Sequence, residues 1–289
     1  MEREMNYDKF PVVRICGYES ESWESWPRIL KQLRTFAPLG TGTISFECYP
    51  GVSEKTLISA LFEGLRPAGL IVTSELFKSP SNIEQLLSDV PGEDPVFGRM
   101  NSLEIPDLLD TGKLTSARER VEKWKQGLLV IVGTGASLVS AEPDLLVYAD
   151  MARWEIQQRQ RPNAIGNLGA DNLQESPAQK YKRAFFVDWS AADHLKKSLF
   201  EKIDFWLDTN GEIPKLVTGR AVRDGLKQVA RRPFRVVPYF DPGPWGAIGW
   251  RRFVAFPKEC RIMRGVSTAY PRKIVCRSHS EQPASRFPL

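Results

Sequence analysis

The feature that most constrains the fold is a succession of short, continuous apolar runs that alternate with helical segments. Such runs occupy residues 12–18, 43–49, 69–77, 128–132 and 144–150. A strand that is apolar at consecutive positions is buried on both faces, which is typical of a parallel sheet covered by helices. The sequence therefore predicts an α/β fold, built on a mostly parallel sheet with helices on both faces.

Several helices between these runs have clear start signals. Residues 26–36 form an amphipathic pattern with Pro27 in the first turn, and a second helix begins at Ser53, a good N-cap residue, and runs through residue 65. Further helices are predicted near residues 191–200 and 218–229. The turn-rich stretch 162–177 is interpreted as a linker or a surface loop.

The later apolar runs leave the topology open. Residues 183–189, 202–208 and 234–240 are rich in aromatic and β-branched residues and are interpreted as strands. They could extend the first sheet or begin a second framework. We predict an α/β domain over residues 1–208, an extension over 209–246, and an irregular, disordered tail over 247–289.

Charge is unevenly distributed along the chain. The net charge is +5, from 40 Lys and Arg against 35 Asp and Glu. The tail 247–289 holds nine basic and two acidic residues, so the rest of the chain carries −2. The tail lacks a basic helical face or an aromatic platform, so no nucleic-acid partner is expected.

The absence of a long apolar run or a signal-peptide pattern predicts no membrane partner and a cytoplasmic location.

A glycine-rich loop follows the run 128–132. Backbone N–H groups of Gly133, Thr134, Gly135 and Ser137 could converge on a phosphate. A Walker-type loop also needs a lysine, which this loop lacks. Residues 51–56 do end in Lys-Thr before a helix, but lack the glycine that should precede the lysine. A tight turn is the alternative role for both segments.

Cationic residues near position 160 form a second candidate site. Asp150 is predicted to cap the following helix, and Arg159 and Arg161 then lie near its C-terminus. Together with Arg153 these arginines could bind phosphate, or the two C-terminal ones could simply compensate the helix dipole. His194 has no second ligand at metal-binding spacing and is predicted to be a solvated surface residue.

Three blocks of sequence together carry a family resemblance. They are VIVGTGASL with DLLVYADMARWEIQQR, KYKRAFFVDW with IDFWLDTN, and FRVVPYFDPGPWG. The span from about residue 7 to 246 resembles the N-terminal half of long bacterial chains classed with the class I mannose-6-phosphate isomerases. In those chains a nucleoside- or uridine-kinase-like domain precedes a cupin region. The resemblance implies a P-loop-kinase-like topology, here without the Walker lysine.

The last of these blocks contains Gly243, Trp245 and Gly246, which resemble the Trp-Gly-Gly motif that opens the isomerase region. Ala247 stands where the second glycine of that motif is expected. The resemblance implies that the zinc ligands of full-length relatives lie beyond this motif. No residue of this chain is assigned to them, so no cofactor is expected in this chain.

The tail explains why the resemblance stops. Residues 247–254, back-translated and read with the first two bases dropped, give the family-like NWMEKVC. Residues 261–276 at the same offset give NYAWGFDCVPEENSL, which also resembles cupin sequence. The first base of each shifted codon is a freely chosen wobble base, and the second and third bases come from the first two positions of an observed residue's codon. We therefore expect a frameshift near Gly246.

Two functions follow from these patterns. The first is a mannose-6-phosphate-isomerase-like protein, truncated and inactive alone. Its full-length relatives would interconvert aldose and ketose phosphates by metal-assisted proton transfer. The second is a non-catalytic module that binds a sugar phosphate or a nucleotide through residues 133–137 and the arginines.

Overall fold

The computed structural model describes residues 12–90, 92, 94, 97–231, 273–276 and 285–288. Within these ranges the strands, in chain order, are β1 (Val12–Arg14), β2 (Ser22–Glu24), β3 (Gly42–Cys48), β4 (Gly69–Val72), β5 (Leu128–Gly133), β6 (Leu145–Asp150), β7 (Phe205–Asp208), β8 (Lys215–Thr218), β9 (Lys273–Cys276) and β10 (Ser285–Pro288). The α-helices are α1 (Trp26–Phe36), α2 (Glu54–Leu65), α3 (Pro80–Leu86), α4 (Ile105–Leu108), α5 (Thr111–Glu122), α6 (Ala136–Val139), α7 (Arg153–Gln160), α8 (Pro177–Arg183), α9 (Trp189–Leu199) and α10 (Gly219–Ala230).

The main sheet has seven strands in the order β2-β8-β7-β6-β3-β5-β4. Its central strands β7, β6, β3, β5 and β4 are all parallel, whereas β8 and β2 each join antiparallel to their neighbour. The prediction of an α/β fold with a mostly parallel sheet is therefore confirmed.

The continuous apolar runs have a simple origin, which β5 illustrates. Leu129 and Ile131 pack into the core on one face of the sheet, and Val130 and Val132 into the core on the other. All four side chains are completely buried. Successive side chains of a strand point to opposite faces, so a strand with helices on both sides needs apolar residues at every position.

Two helices begin where the sequence predicts. In α1, Pro27 occupies the first turn, and Ile29 and Leu33 are buried. In α2, the side chain of the N-cap residue Ser53 accepts a hydrogen bond from the backbone N–H of Thr56. Both helices pack on the same face of the sheet.

The strand interpretation of residues 183–189 is wrong. Helix α8 continues through a π-helical segment, Ala184–Asp188, directly into α9. A capping box formed by Ser176 and Gln179 starts this helical stretch. Burial of Val187 and Trp189 against the sheet then outweighs the strand preference of the aromatic and β-branched residues.

The domain boundary predicted at Asp208 does not coincide with the edge of the sheet. Strand β8 follows β7 after a short turn and pairs with it antiparallel, with Asp208 opposite Lys215. Helix α10 then packs on the same core through Ala221 and Val222. The helix predicted over residues 218–229 is confirmed.

The turn-rich stretch 162–177 is a surface loop with a buried anchor rather than a linker. The Asn167 side chain donates hydrogen bonds to Asp188 Oδ2 at 2.6 Å and to the Lys180 carbonyl at 3.0 Å. Asn172 Nδ2 donates to Asn167 Oδ1 at 2.8 Å. Side-chain amides thus replace the backbone ladder that a loop cannot form.

Two segments of the predicted irregular tail are strands. Strand β9 pairs parallel with β1 and antiparallel with β10. Ile274 and Val275 of β9 are β-branched, which favours extended backbone. The prediction of an irregular tail is therefore wrong for these two segments.

The strand interpretation of residues 234–240 lies outside the described residues. No helix within the described ranges has the length and apolar composition to cross a membrane.

We expect Ile131→Ala to lower the free energy of unfolding by about 2–5 kcal/mol, because it leaves a cavity in a fully buried strand. Leu39→Ala is the matched control, since the Leu39 side chain is fully exposed. Urea unfolding followed by circular dichroism measures both. Equal effects of the two variants would contradict the two-sided core.

Candidate functional site

The candidate site lies at the carboxyl edge of the sheet, around the end of β3. The chain leaves β3 through α2, whose Leu57 and Leu61 pack on one face of the sheet. After β6 it returns through α9, whose Ala191 and Ala192 pack on the opposite face. Ligands of open α/β sheets bind where the connections diverge in this way.

A buried glutamate dominates this edge. Glu47, near the end of β3, is 1% exposed. Its Oε1 accepts a hydrogen bond from the backbone N–H of Gly135 at 2.6 Å. Its Oε2 accepts from the Ser137 backbone N–H at 2.8 Å and from the Ser137 hydroxyl at 2.7 Å. Three donors of one loop therefore converge on this carboxylate.

The shape of that loop depends on its glycines. Gly133 and Gly135 have φ angles of 124° and 89°, which residues other than glycine rarely adopt. The Thr134 hydroxyl donates a 2.8 Å hydrogen bond to the Cys48 carbonyl, which holds the loop against β3. The loop thus makes a tight turn around an anion, and that anion is Glu47. Phosphate binding by Gly133, Thr134, Gly135 and Ser137 stays a prediction.

Burial raises the pKa of Glu47 to about 7. The hydrogen bonds from Ser137 and Gly135 act in the opposite direction, because they favour the charged carboxylate. Desolvation outweighs them, so Glu47 changes its charge in the neutral pH range.

A second carboxylate lies beside the same loop. Glu54, the first residue of α2, accepts a 2.6 Å hydrogen bond from the Ser74 hydroxyl. A Cβ atom added at Gly133 would collide with Glu54 Oε1 and with Thr73 Oγ1. Burial raises the pKa of Glu54, while the Ser74 hydrogen bond lowers it.

The segment 51–56 forms the turn between β3 and α2. The Val52 N–H donates to the Tyr49 carbonyl at 3.2 Å, which supports the tight-turn alternative. Lys55 and Thr56 lie in the first turn of α2 and are exposed. Glu54 occupies the position at which a Walker loop has its glycine.

The predicted cap at Asp150 is wrong. Helix α7 begins after Ala152, without a side-chain cap. Asp150 instead pairs with Lys196, whose Nζ is 2.7 Å from Asp150 Oδ2. This ammonium lies over three aromatic rings, with 5.0–5.3 Å between Nζ and the ring centroids of Tyr49, Tyr148 and Trp206. A cation in this setting is held by its counterion and by the ring faces.

The three predicted arginines do not converge on one site, since each has its own partner. Arg153 forms an ion pair with Asp193. Arg159 pairs with Glu155 at 2.9 Å and donates to the Thr209 carbonyl. Arg161 donates to Gln158 at 3.2 Å and stacks on Trp154. Phosphate binding by Arg159 and Arg161, and the alternative that they compensate the helix dipole, both stay predictions.

The remaining candidates divide into exposed and undescribed positions. His194 is exposed, as predicted. Gly243, Trp245 and Gly246 lie outside the described residues. Within the described ranges, no three His, Cys, Asp or Glu side chains come close enough to hold a metal ion. The placement of the zinc ligands beyond residues 242–246 stays a prediction from the resemblance.

The sequence patterns do not identify Glu47 and Glu54 as site residues. The signal for Glu47 is a charged residue inside the strand-like run TISFECY. A charged residue in a strand buried on both faces requires hydrogen-bond partners from another segment. Glu54 gave no signal of burial, because a glutamate in the first turn of a helix is common.

We expect Ser137→Ala to lower the free energy of unfolding by about 1–3 kcal/mol, because Glu47 loses one donor. The loss should be larger at pH 8 than at pH 5, since the hydrogen bond favours ionised Glu47. Ser59→Ala, at an exposed helical position, is the control. A loss in Ser137→Ala that is independent of pH would contradict this role.

We further expect the stability of the native chain, relative to Glu47→Gln, to fall as pH rises from about 4.5 to 7. The pKa of Glu47 is raised in the folded state, so the folded chain binds more protons than the unfolded chain in this range. The slope is at most about 1.4 kcal/mol per pH unit. Urea unfolding of both chains from pH 4.5 to 8.5 measures this slope. A stability of the native chain, relative to Glu47→Gln, that rises with pH would refute the raised pKa of Glu47.

Comparison with known proteins identifies the family. Curated protein sequences give no match. Among solved structures, a Silicibacter sp. TM1040 protein assigned as a fructose transport system kinase is similar at a TM-score of 0.42 and 10% identity, over 60% of this chain and 94% of that one. This similarity is too distant to carry an argument. The family model described as "Domain of unknown function (DUF8485)" matches residues 25–231. The chain therefore belongs to the DUF8485 family.

Proposed function

We propose that this chain is a non-catalytic α/β domain of a mannose-6-phosphate-isomerase-like protein, with an anion position filled by its own carboxylate. One observation carries the proposal: the N–H groups of Gly135 and Ser137 donate to Glu47 rather than pointing into an open crevice. A ligand phosphate that used these donors would have to displace a buried carboxylate.

The cations at this edge support the same interpretation. Lys196 pairs with Asp150, Arg153 with Asp193, and Arg159 with Glu155. A phosphate group would have to break one of these pairs before it could use the positive charge. These three pairs therefore serve contacts within the chain and are not arranged around a ligand.

The isomerase part of the proposal rests on sequence resemblance. Aldose–ketose isomerisation needs a general base and, in these relatives, a metal that polarises the sugar oxygens. The resemblance assigns that machinery to the region beyond residues 242–246. The frameshift near Gly246 stays a prediction that sequencing of the coding DNA would test.

A phosphate- or nucleotide-binding module is the second candidate. The observation that favours it is the geometry of the loop, because a glycine-rich turn with converging N–H groups can bind an anion other than Glu47. Such a ligand would bind the folded state and raise its melting temperature.

Two measurements on the purified chain test the proposal. With Zn²⁺ and mannose 6-phosphate we expect no turnover, since proton transfer at the sugar carbons needs groups that the resemblance assigns beyond this chain. With ATP or mannose 6-phosphate at 5 mM we expect no change in melting temperature, with mannose as the phosphate-free control. Turnover would refute the proposal, and a shift specific to a phosphate ligand would favour the second candidate.

A further inference from the structure

A second anion position lies at the start of α2, next to the one that Glu47 fills. Helix α2 has 12 residues and begins at the carboxyl edge of the sheet. The unpaired N–H groups and the dipole at such a helix start favour negative charge. Here the negative charge is the carboxylate of Glu54, which belongs to the helix itself.

The Glu54 carboxylate contacts the ends of two neighbouring strands. Ser74, just after β4, donates to its Oε2 at 2.6 Å. Its Oε1 lies against Gly133, the last residue of β5, within the space that a Cβ atom there would need. Glycine at position 133 therefore leaves room for a negatively charged group at this point of the edge.

An orphaned hydroxyl points to the same space. Thr73 is completely buried, and its Oγ1 has no hydrogen-bond partner within the described part of the chain. A Cβ at Gly133 would collide with this oxygen as well as with Glu54 Oε1. A buried hydroxyl without a partner is costly, so the position is polar and incompletely satisfied by Glu54 alone.

The neighbouring residues match the end of the phosphate-loop pattern but not its glycines, since Tyr49 and Glu54 stand where that pattern has its two glycines. Lys55 and Thr56 occupy the Lys-Thr positions of the Walker pattern, and Glu54 replaces the glycine before them. A carboxylate at this position repels a phosphate electrostatically and also takes up its space. The lysine that would bind the phosphate is present, exposed, in the same helical turn.

We propose that Glu54 is the residue that excludes phosphate from this edge, by occupying the place of a ligand's oxyanion between α2 and Gly133. The inference rests on the proposed non-binding function and names its determinant. Removal of the carboxylate creates a site for the oxyanion shared by pyrophosphate and nucleoside triphosphates, with Lys55 as the cation. Pyrophosphate and ATP then separate a simple oxyanion site from one that also contacts the nucleoside.

The test is binding of pyrophosphate and of ATP by calorimetry at constant ionic strength. We expect Glu54→Ala to bind pyrophosphate at least tenfold more tightly than the native chain. Glu63→Ala is the matched control, since Glu63 is an exposed glutamate of the same helix. The double variant Glu54→Ala/Lys55→Ala should lose the gain, because the phosphate then lacks its cation.

The outcomes separate this inference from the proposed function. If Glu54→Ala is folded and neither it nor the native chain binds pyrophosphate measurably, the inference is wrong and the non-binding proposal stands. If both bind pyrophosphate with the same measurable affinity, both are wrong. Should Glu54→Ala fail to fold, Glu54→Gln removes the charge at nearly constant volume. It should bind at least threefold more tightly than the native chain, and no gain would refute the inference.

Discussion

The hydrogen bonds that Glu47 accepts from the Gly133–Ser137 loop are the interaction on which the carboxyl edge depends. A carboxylate removed from water costs several kcal/mol unless donors compensate it. Here two backbone N–H groups and one hydroxyl do so. The Thr134 contact to the Cys48 carbonyl adds a neutral hydrogen bond beside them. The end of β3 and the turn after β5 are thus joined by polar contacts inside an otherwise apolar sheet.

Contacts within the chain fill positions at this edge that usually bind ligands in α/β folds. Parallel α/β sheets leave a crevice at the carboxyl ends of their strands, and the loops there usually serve ligands. In this chain the same positions hold Glu47, Glu54 and the pair of Lys196 with Asp150. Each charged group has a partner from the chain itself. The edge therefore has the geometry of an anion-binding fold and the contacts of a structural one.

Local patterns predicted the regular elements well because local physics determines them. Pro27 and Ser53 mark the first turns of α1 and α2, and continuous apolar runs mark strands buried on both faces. Residues 183–189 were misinterpreted because the same aromatic residues suit a strand or a buried helix. Asp150 was misinterpreted because its ion partner, Lys196, is 46 positions away in the chain.

The sequence by itself determined the α/β class, most helix starts and the absence of a complete Walker loop, since each depends on neighbouring residues. Only the tertiary structure decided which anion the Gly133–Ser137 loop binds. Glu47 and Ser137 are 90 positions apart, and pairing of β3 with β5 brings them together. The close approach of Glu54 to Gly133 was decided in the same way. The sequence of the loop determines its hydrogen-bond donors, but the packing of the sheet determines which acceptor these donors contact.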